Sequence, residues 1–197
     1  MCEQAYCEKR NRQECIAANS LTSQLIVYLT QAAEYGHRNA MIMIAACYQN
    51  GLARAKSIPV AVRWYEKAAA KQSAVANYHL AMIYERGLVI GKDLTKAASL
   101  YSKAIDINGF SDAKERLAAL YAAGGEGFPA NYELAKDLYI DISRRGDMQA
   151  LFQAGRMCVL AGAPDEAVTY LLKALRQGHT EADALITTAM NQMSQPN

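Results

Sequence analysis

The sequence has only four proline residues, a single tryptophan and no long hydrophobic segment. No apolar run approaches the roughly 20 residues that a transmembrane helix needs. Charge of either sign is not in excess, because 21 Lys and Arg face 19 Asp and Glu and leave a net charge of +2. This balance gives no global reason to expect a nucleic-acid or anionic-membrane partner. Helix-forming residues dominate the 197 residues, and we therefore expect an all-α protein with a sizeable core.

Motifs that would carry chemistry are also missing from the sequence. It contains no HExxH, no cysteine pair with zinc-finger spacing and no G-x-S-x-G elbow. Of the three histidines, His37 and His179 each follow a Gly in a short turn, and we expect both to be solvated. The sequence thus predicts no catalytic residues, no metal site and no cofactor.

A repeat of 36 or 37 residues runs through the chain. Its pattern is Ala, three residues, an apolar residue, a small residue, two residues, Tyr, two residues and Gly. The pattern begins at Ala40, Ala76 and Ala113, and more loosely at Ala150. A fixed period of this length is typical of a solenoid, in which each unit buries its apolar face on its neighbours.

Each repeat has a second half with its own apolar stripe, starting at Ala61, Ala97, Ala135 and Ala167. The spacing i, i+3, i+4, i+7 predicts a helix, so each repeat is a pair of helices, A and B. We expect small residues where the two helices cross, with the recurrent Tyr filling the space beside each crossing. The small residues are Ala45, Ala81, Ala118 and Gly155.

Turn and cap residues fall at the predicted helix ends. Gly51, Gly87 and Gly124 each follow a helix A, where a residue that tolerates positive φ ends a helix well. Ser57 and Asp93 precede helices B and are expected to act as N-caps.

This spacing, together with the block DLTKAASLYSKA over residues 93–104, resembles the Sel-one-like repeat family (SLR), a relative of tetratricopeptide repeats. The resemblance covers residues 22–192. It places Leu25, Tyr28, Ala32, Ala33 and Gly36 in an initial helix B, and Ala182, Ile186 and Met190 in a terminal helix A. It implies an all-α, right-handed α-α superhelical solenoid of about four to five helix-pair repeats. Residues 1–21 form a Cys-containing N-terminal segment, and residues 22–197 form the repeat solenoid with a C-terminal capping helix.

The five cysteines divide into two groups. Cys47 and Cys158 lie at packing positions and are expected to be unreactive thiols. In cysteine-rich members of the resembled family, a pair with the separation of Cys7 and Cys15 ties a helix B to the next helix A. Such a disulfide requires a turn, since eight residues of one straight helix span about 12 Å. The alternative is that Cys2, Cys7 and Cys15 are all free thiols.

The compartment depends on these N-terminal cysteines. A disulfide would indicate an oxidising compartment. Cys2 could alternatively serve as the lipid-attachment residue of a mature bacterial lipoprotein. The first 15 residues have no apolar core of a signal peptide, so any leader would have been removed from this chain. We therefore expect a periplasmic or envelope-associated protein, with the cytoplasm as the alternative.

In tetratricopeptide-like solenoids the A helices line the concave side. Setting aside the packing positions leaves a predicted partner-binding set, in which Tyr78 and Phe152 are aromatic anchors and three arginines accompany them. The set comprises Asn39, Met43, Asn50, Tyr78, His79, Met82, Arg86, Glu115, Arg116, Phe152, Arg156 and Leu160.

The resemblance implies a non-catalytic module that binds a partner protein in its concave groove. Its sharpest form is a bacterial immunity protein that neutralises a secreted toxic effector, and an envelope scaffold or adaptor is the broader form. The alternative is a cysteine-rich type of enzyme that binds or hydrolyses β-lactams or cell-wall fragments. The helix-bridging cysteines of that subgroup are missing from these repeats. A glycan-binding envelope protein is a third interpretation, since aromatic residues in a groove also suit sugars.

Overall fold

The predicted alternation of A and B helices is present in the computed structural model, which describes residues 24–52, 55–88 and 91–194. These residues form ten helices, and their only β-type pairing is an isolated bridge between Gly125 and Phe128. The all-α prediction is confirmed. Cys2, Cys7 and Cys15 lie outside the described residues, so the proposed disulfide and the division at residue 21 stay predictions.

The helices follow the predicted order. The B helices are α1 over residues 24–34, α3 (Ile58–Ala70), α5 (Leu94–Asn108), α7 (Tyr132–Ser143) and α9 (Pro164–Arg176). The A helices are α2 (Arg38–Asn50), α4 (Ala74–Arg86), α6 (Ser111–Ala123), α8 (Met148–Leu160) and α10 (Ala182–Met193). None of the ten is both long and apolar enough to cross a bilayer.

The chain divides into two compact units, Met1–Gly91 and Lys92–Asn197. In the first unit, α3 packs against α2 on one side and α4 on the other. In the second unit, each helix from α5 to α9 packs on the helix that follows it, and α10 also contacts α8. Helix packing is therefore built mainly between neighbours in the sequence, as a repeat architecture requires.

Small residues allow the close helix crossings, as predicted. Ala45, Ala81 and Ala118 have no exposed surface. At Gly155 of α8, an added Cβ would lie 2.6 Å from the Cγ atom of Leu171 on α9. No side chain fits at that distance, so glycine is what permits α8 and α9 to approach there.

The largest buried side chains belong to the B helices. Tyr65 of α3 and Tyr101 of α5 have no exposed surface, whereas the recurrent Tyr84 of α4 is half-buried. The Tyr65 hydroxyl donates a hydrogen bond of 2.9 Å to Oε1 of Gln49. A buried phenol needs such a partner, so this bond allows the whole ring to enter the core.

Most of the predicted helix ends are confirmed. Gly51 and Gly87 adopt the left-handed conformation after α2 and α4. The Asp93 carboxylate accepts a 2.8 Å hydrogen bond from the backbone N–H of Lys96 and caps α5. Ser57 occupies the N-cap of α3, but its hydroxyl accepts no hydrogen bond from that helix. Gly124 ends α6 with φ of +61° and an extended ψ of −163°, which is not the left-handed conformation of the other two.

The turn from each helix B to the next helix A needs one residue at positive φ. Glycine supplies it at Gly36, Gly109, Gly146 and Gly178, but Gln72 stands at this point between α3 and α4, with φ of +57°. The left-handed region costs a side-chain-bearing residue about 1–2 kcal/mol. This turn is therefore the strained member of the series.

The two terminal helices differ from the predicted register. In α1, Ile26 and Ala33 are buried, while Leu25 and Tyr28 are 47% and 69% exposed. Ala33 is therefore buried as predicted, but Leu25 and Tyr28 were placed one residue away from the packing positions, a shift that turns a helix by about 100°. In α10, Ala182 and Ile186 are buried as predicted, but Met190 is 56% exposed. Within the part of the chain that the structure describes, no later helix follows to cover it.

Candidate partner-binding site

The A-helix face of the first unit consists of side chains on α2 and α4 that the core does not use. Asn39, Met43 and Asn50 are exposed on α2, at spacings that place them on one side of the helix. On α4, Met82 is half-buried and Arg86 is exposed. Amide, thioether and guanidinium groups are thus available to a partner on this unit.

Tyr78 and His79 lie deeper than these residues. The imidazole of His79 stacks on the buried ring of Tyr65, with centroids 5.0 Å apart and planes 12° from parallel. The Tyr78 ring meets the same imidazole edge-on at 5.6 Å. Among the residues that the structure describes, none forms a hydrogen bond with the buried Nδ1 of His79, and burial lowers the pKa of this imidazole. His79 is therefore half-buried in the packing of α3 on α4, and only the remainder of its ring is open to a partner.

In the second unit, a cavity of about 240 Å³ opens between α6, α7 and α8. Its polar lining comes from Glu115 of α6, Tyr139 of α7, and Asp147, Gln149 and Gln153 at the start of α8. The two glutamine amides each offer donors and an acceptor, and the two carboxylates accept. The cavity is thus rich in hydrogen-bonding groups of both kinds.

Charge around this cavity is mixed. Arg156 is exposed one turn beyond Gln153, and its guanidinium donates a 3.3 Å hydrogen bond to Oε1 of Gln153. Burial raises the pKa of the Tyr139 phenol, while the charge of Arg156 opposes this rise and that of Glu115 adds to it. These effects place Tyr139, Arg156 and Glu115 within electrostatic reach of one another. Arg116 is half-buried on α6 and is therefore less accessible to a partner than the exposed Arg156.

Phe152 does not lie on the A-helix face. Its ring is only 8% exposed and belongs to the core formed by α8, α9 and α10. It stacks on the imidazole of His179, with centroids 3.9 Å apart, and His179 Nε2 lies 3.0 Å from Oε1 of Gln149. The assignment of Phe152 as an exposed anchor was wrong, because the turn before α10 covers the ring. His179 is only partly solvated, because one face of its ring lies on Phe152, whereas His37 is exposed as predicted.

The sequence contained a signal for the residues that were missed. Gln149, Gln153, Arg156 and Leu160 follow the spacing i, i+4, i+7, i+11, which places them on one side of α8. Gln153 is half-buried and the other three are exposed. Gln153, and not its aromatic neighbour Phe152, belongs to this series.

The two cysteines in the described residues are packed, as predicted. Burial raises the pKa of the Cys158 thiol to about 11 and also raises that of Cys47. Neither thiol is therefore activated as a nucleophile at neutral pH. Within residues 24–52, 55–88 and 91–194, no three His, Cys, Asp or Glu side chains are grouped to hold a metal ion.

Comparison with proteins of known structure supports the architecture. A Sel1 repeat protein from Oxalobacter formigenes is 23% identical with a TM-score of 0.63, over 82% of this chain and 66% of that chain. The protective antigen c5321 of uropathogenic Escherichia coli, which has an SLR fold, is 24% identical with a TM-score of 0.64, over 87% of this chain and 37% of that one. YrrB, a TPR protein with an unusual peptide-binding site, is 19% identical with a TM-score of 0.62, over 85% and 84% of the two chains.

At these identities the solved structures establish the fold, and this chain spans less than two thirds of the length of the first two. No protein with a curated function matches the sequence. The model of the Sel1 repeat matches residues 38–73, 74–108, 111–147 and 149–179, which are four consecutive A–B helix pairs. These four matches cover well over half of the sequence, and the chain belongs to the Sel1 repeat family.

Proposed function

We propose that a partner protein docks on the A-helix face of the second unit, which we define by Glu115, Gln149, Gln153 and Arg156. The observation that carries this proposal is the cavity lined by Glu115, Tyr139 and Gln153, bordered by Arg156. Arg156 donates to Gln153 here, and the polar groups converge on a concave site formed by three helices. Binding a partner there would require little reorganisation of the protein.

The fold supports a protein-binding role in general. The Sel1 repeat, which resembles the tetratricopeptide repeat, is generally a non-catalytic scaffold for protein–protein interaction. The chemistry of the cavity agrees with that use. Glutamine amides can pair with both the N–H and the C=O of a partner backbone, and Glu115 and Arg156 offer one charge of each sign.

The A-helix face of the first unit is proposed as a second contact region. Met43 is exposed there beside Asn39, and Arg86 is exposed on α4. A methionine side chain adapts to irregular apolar surfaces, while Asn and Arg supply directional hydrogen bonds. Tyr78 is half-buried and can contribute the exposed part of its side chain to this region.

The family resemblance supports a finer proposal about the partner. We infer that the partner is one dominant, secreted toxic effector and that this protein is its immunity protein. An envelope scaffold or adaptor, with several weaker partners, is the alternative within the same binding role. A periplasmic or envelope location is proposed with it, and separating the cell fractions before immunoblotting would test that location.

Affinity capture from native extract, followed by mass spectrometry and by calorimetry with the purified partner, tests the proposal. The second-unit variant combines Glu115→Ala, Gln153→Ala and Arg156→Ala. The first-unit variant combines Asn39→Ala, Met43→Ala and Arg86→Ala. We expect the second-unit variant to lose the main partner while its melting temperature stays unchanged, because these side chains lie outside the core. The first-unit variant should weaken binding less.

A matched control changes exposed residues of B helices instead. It combines Ser99→Ala and Lys103→Ala of α5 with Thr169→Ala of α9. Unchanged capture by the control and loss in the second-unit variant would support the A-helix face. Equal capture by all three variants would contradict it.

The identity of the captured protein decides between the finer alternatives. A single toxin or lipase would select the immunity protein, and an envelope complex would select the scaffold. Turnover of a chromogenic β-lactam by the purified protein would contradict the non-catalytic proposal and favour the enzyme.

A further inference from the structure

A second depression lies away from the A-helix face, where the C-terminal ends of α7 and α9 meet the first turn of α8. It has a volume of about 530 Å³, within the range of roughly 300–1,000 Å³ found for ligand sites. Ile140, Leu151 and Tyr170 supply its apolar surface, and we call it the basic depression because of the charged residues that accompany them.

Every charged residue that lines the basic depression is a cation: Arg144, Lys173 and Arg176. Arg144 lies 3.4 Å from Asp141, but Lys114 already pairs with that carboxylate, so it neutralises Arg144 only in part. Among the residues that the structure describes, neither Lys173 nor Arg176 pairs with a carboxylate. Part of their charge offsets the negative end of the α9 dipole, which is worth about half an elementary charge. A positive excess remains.

The positions of the cations indicate what kind of anion would fit. Arg144 is at the end of α7, whereas Lys173 and Arg176 are in the last turn of α9, so the charges stand on two sides of an apolar surface. Lys173 Nζ lies 5.5 Å from the ring centroid of Tyr170, and this cation–π contact directs the ammonium group over that surface. An apolar group can therefore occupy the middle while separate anionic groups reach the two sides.

Helix polarity distinguishes a peptide from a compact phosphate. The C-cap residues of both helices, Arg144 and Gln177, line the depression. Helix C-termini present carbonyl groups without intrahelical donors, and these accept hydrogen bonds and repel a concentrated negative charge. A phosphate group is favoured at the opposite, N-terminal end of a helix. The separate carboxylates of a peptide can reach the cations on the two sides without placing a concentrated charge at either helix end.

We propose that the basic depression binds an acidic peptide segment of a partner protein, in which an apolar side chain is flanked by carboxylates. The apolar side chain packs on Ile140, Leu151 and Tyr170. The carboxylates pair with Arg144 on one side and with Lys173 and Arg176 on the other. This surface is separate from the A-helix face and does not depend on the function proposed for that face.

Fluorescence anisotropy of the full chain with a labelled peptide of alternating glutamate and leucine tests the proposal. Measurement at about 0.1 M ionic strength screens charges more than roughly 10 Å apart, so that local pairing dominates. The test variant combines Lys173→Glu and Arg176→Glu. The control variant combines Lys92→Glu and Lys103→Glu, two exposed residues of the same unit, and has the same net charge. We expect about tenfold weaker binding for the test variant and less than about twofold change for the control.

Two altered peptides test the roles of the carboxylates and of the apolar side chain separately. A peptide with glutamine in place of glutamate, or with serine in place of leucine, should bind much more weakly than the original. The variant of Glu115, Gln153 and Arg156 should bind the acidic peptide as wild type does, which separates this proposal from the A-helix face. Equal weakening by both charge-reversal variants would overturn the proposal, as would absence of binding. Displacement of the peptide by inorganic phosphate or by single-stranded DNA at equal concentration would also overturn it, because the depression would then prefer a different anion.

Discussion

The ring of Phe152 and the imidazole of His179 lie parallel, with their centroids 3.9 Å apart and their planes 12° from each other. Phe152 belongs to α8, and His179 lies in the turn between α9 and α10. Oε1 of Gln149, one turn earlier on α8, lies 3.0 Å from Nε2 of the same imidazole. This stack secures the turn to α8 and covers the phenyl ring.

Replacing Phe152 with alanine should therefore lower the stability of the protein. Removing a buried phenyl ring from a core typically lowers the free energy of unfolding by about 3–5 kcal/mol. Urea denaturation followed by circular dichroism would measure this loss. The control is Leu160→Ala, an exposed position on the same helix, which should change stability little. Unchanged stability in Phe152→Ala together with lost partner binding would instead return Phe152 to the binding face.

Replacing Gly155 with alanine should also destabilise the fold, although alanine favours helices. The new methyl group would lie 2.6 Å from Cγ and 2.8 Å from Cδ2 of Leu171. Overpacking of this kind costs about 1–3 kcal/mol, which outweighs a propensity gain of up to about 1 kcal/mol. A double-mutant cycle with Leu171→Ala checks the cause, because the loss should shrink when the Leu171 side chain is absent. The same loss in both backgrounds would rule out the overlap as its source.

Replacing Gln72 with glycine should stabilise the protein. Gln72 adopts φ of +57° where four equivalent turns have glycine. Removing the backbone strain should stabilise the fold by about 1–2 kcal/mol. The greater entropy of glycine in the unfolded chain should offset about 0.5–1 kcal/mol of this, so the net gain in the free energy of unfolding is roughly 0.5–1 kcal/mol. Lys71→Gly is the matched control, since Lys71 has a negative φ of −94° and gains no such relief. Chemical denaturation of both variants measures the difference, and destabilisation by Gln72→Gly would show that its side chain outweighs the strain.

Protonation of His79 should destabilise the protein in mild acid. Burial lowers the pKa of this imidazole below its ordinary value of 6.5. In mild acid the unfolded chain therefore binds a proton at His79 more readily than the folded chain does. The stability contributed by neutral His79 is complete above about pH 6.5 and is lost as the pH falls through the folded pKa. Melting temperatures measured between neutral pH and about pH 5 should fall less steeply for His79→Phe, which retains an aromatic ring against Tyr65.

The control for this pH dependence is His37→Phe, because His37 is exposed. Its melting temperature should fall with pH as steeply as that of wild type. An unchanged slope in His79→Phe would assign the acid sensitivity to other groups.

The sequence was sufficient to predict most of the architecture because the repeat presents the same information several times. Ala45, Ala81 and Ala118 recur in phase, and the buried positions Ala61, Ala97, Ala135 and Ala167 recur with them. A register that satisfies several equivalent helix pairs has few alternatives. The two terminal helices were placed less well, since neither lies in the four matched repeats whose recurrence defines the apolar stripe.

The site was harder to predict than the fold, for a physical reason. Whether an aromatic side chain on a helix is exposed depends on what packs over it, and Phe152 is covered by a turn that begins some 25 residues later in the sequence. The half-buried His79 has the same explanation, since Tyr65 covers one face of its ring. The spacing of Gln149, Gln153 and Arg156 places them on one side of α8, but the cavity beside them depends on several helices. The basic depression also depends on several helices, so no local pattern specifies either of these concave sites.

Packing between successive helices also has a consequence for the time in which the protein folds. Contacts that join residues close in sequence require little loop closure, and proteins dominated by such contacts fold fast. Among the described residues, the extensive contacts of α2, α3 and α4 lie within the first unit, so they can form as soon as that stretch has left the ribosome. The amino-terminal repeats can therefore reach their native packing while the remaining helices are still being translated, which shortens the time that their apolar faces are exposed to aggregation.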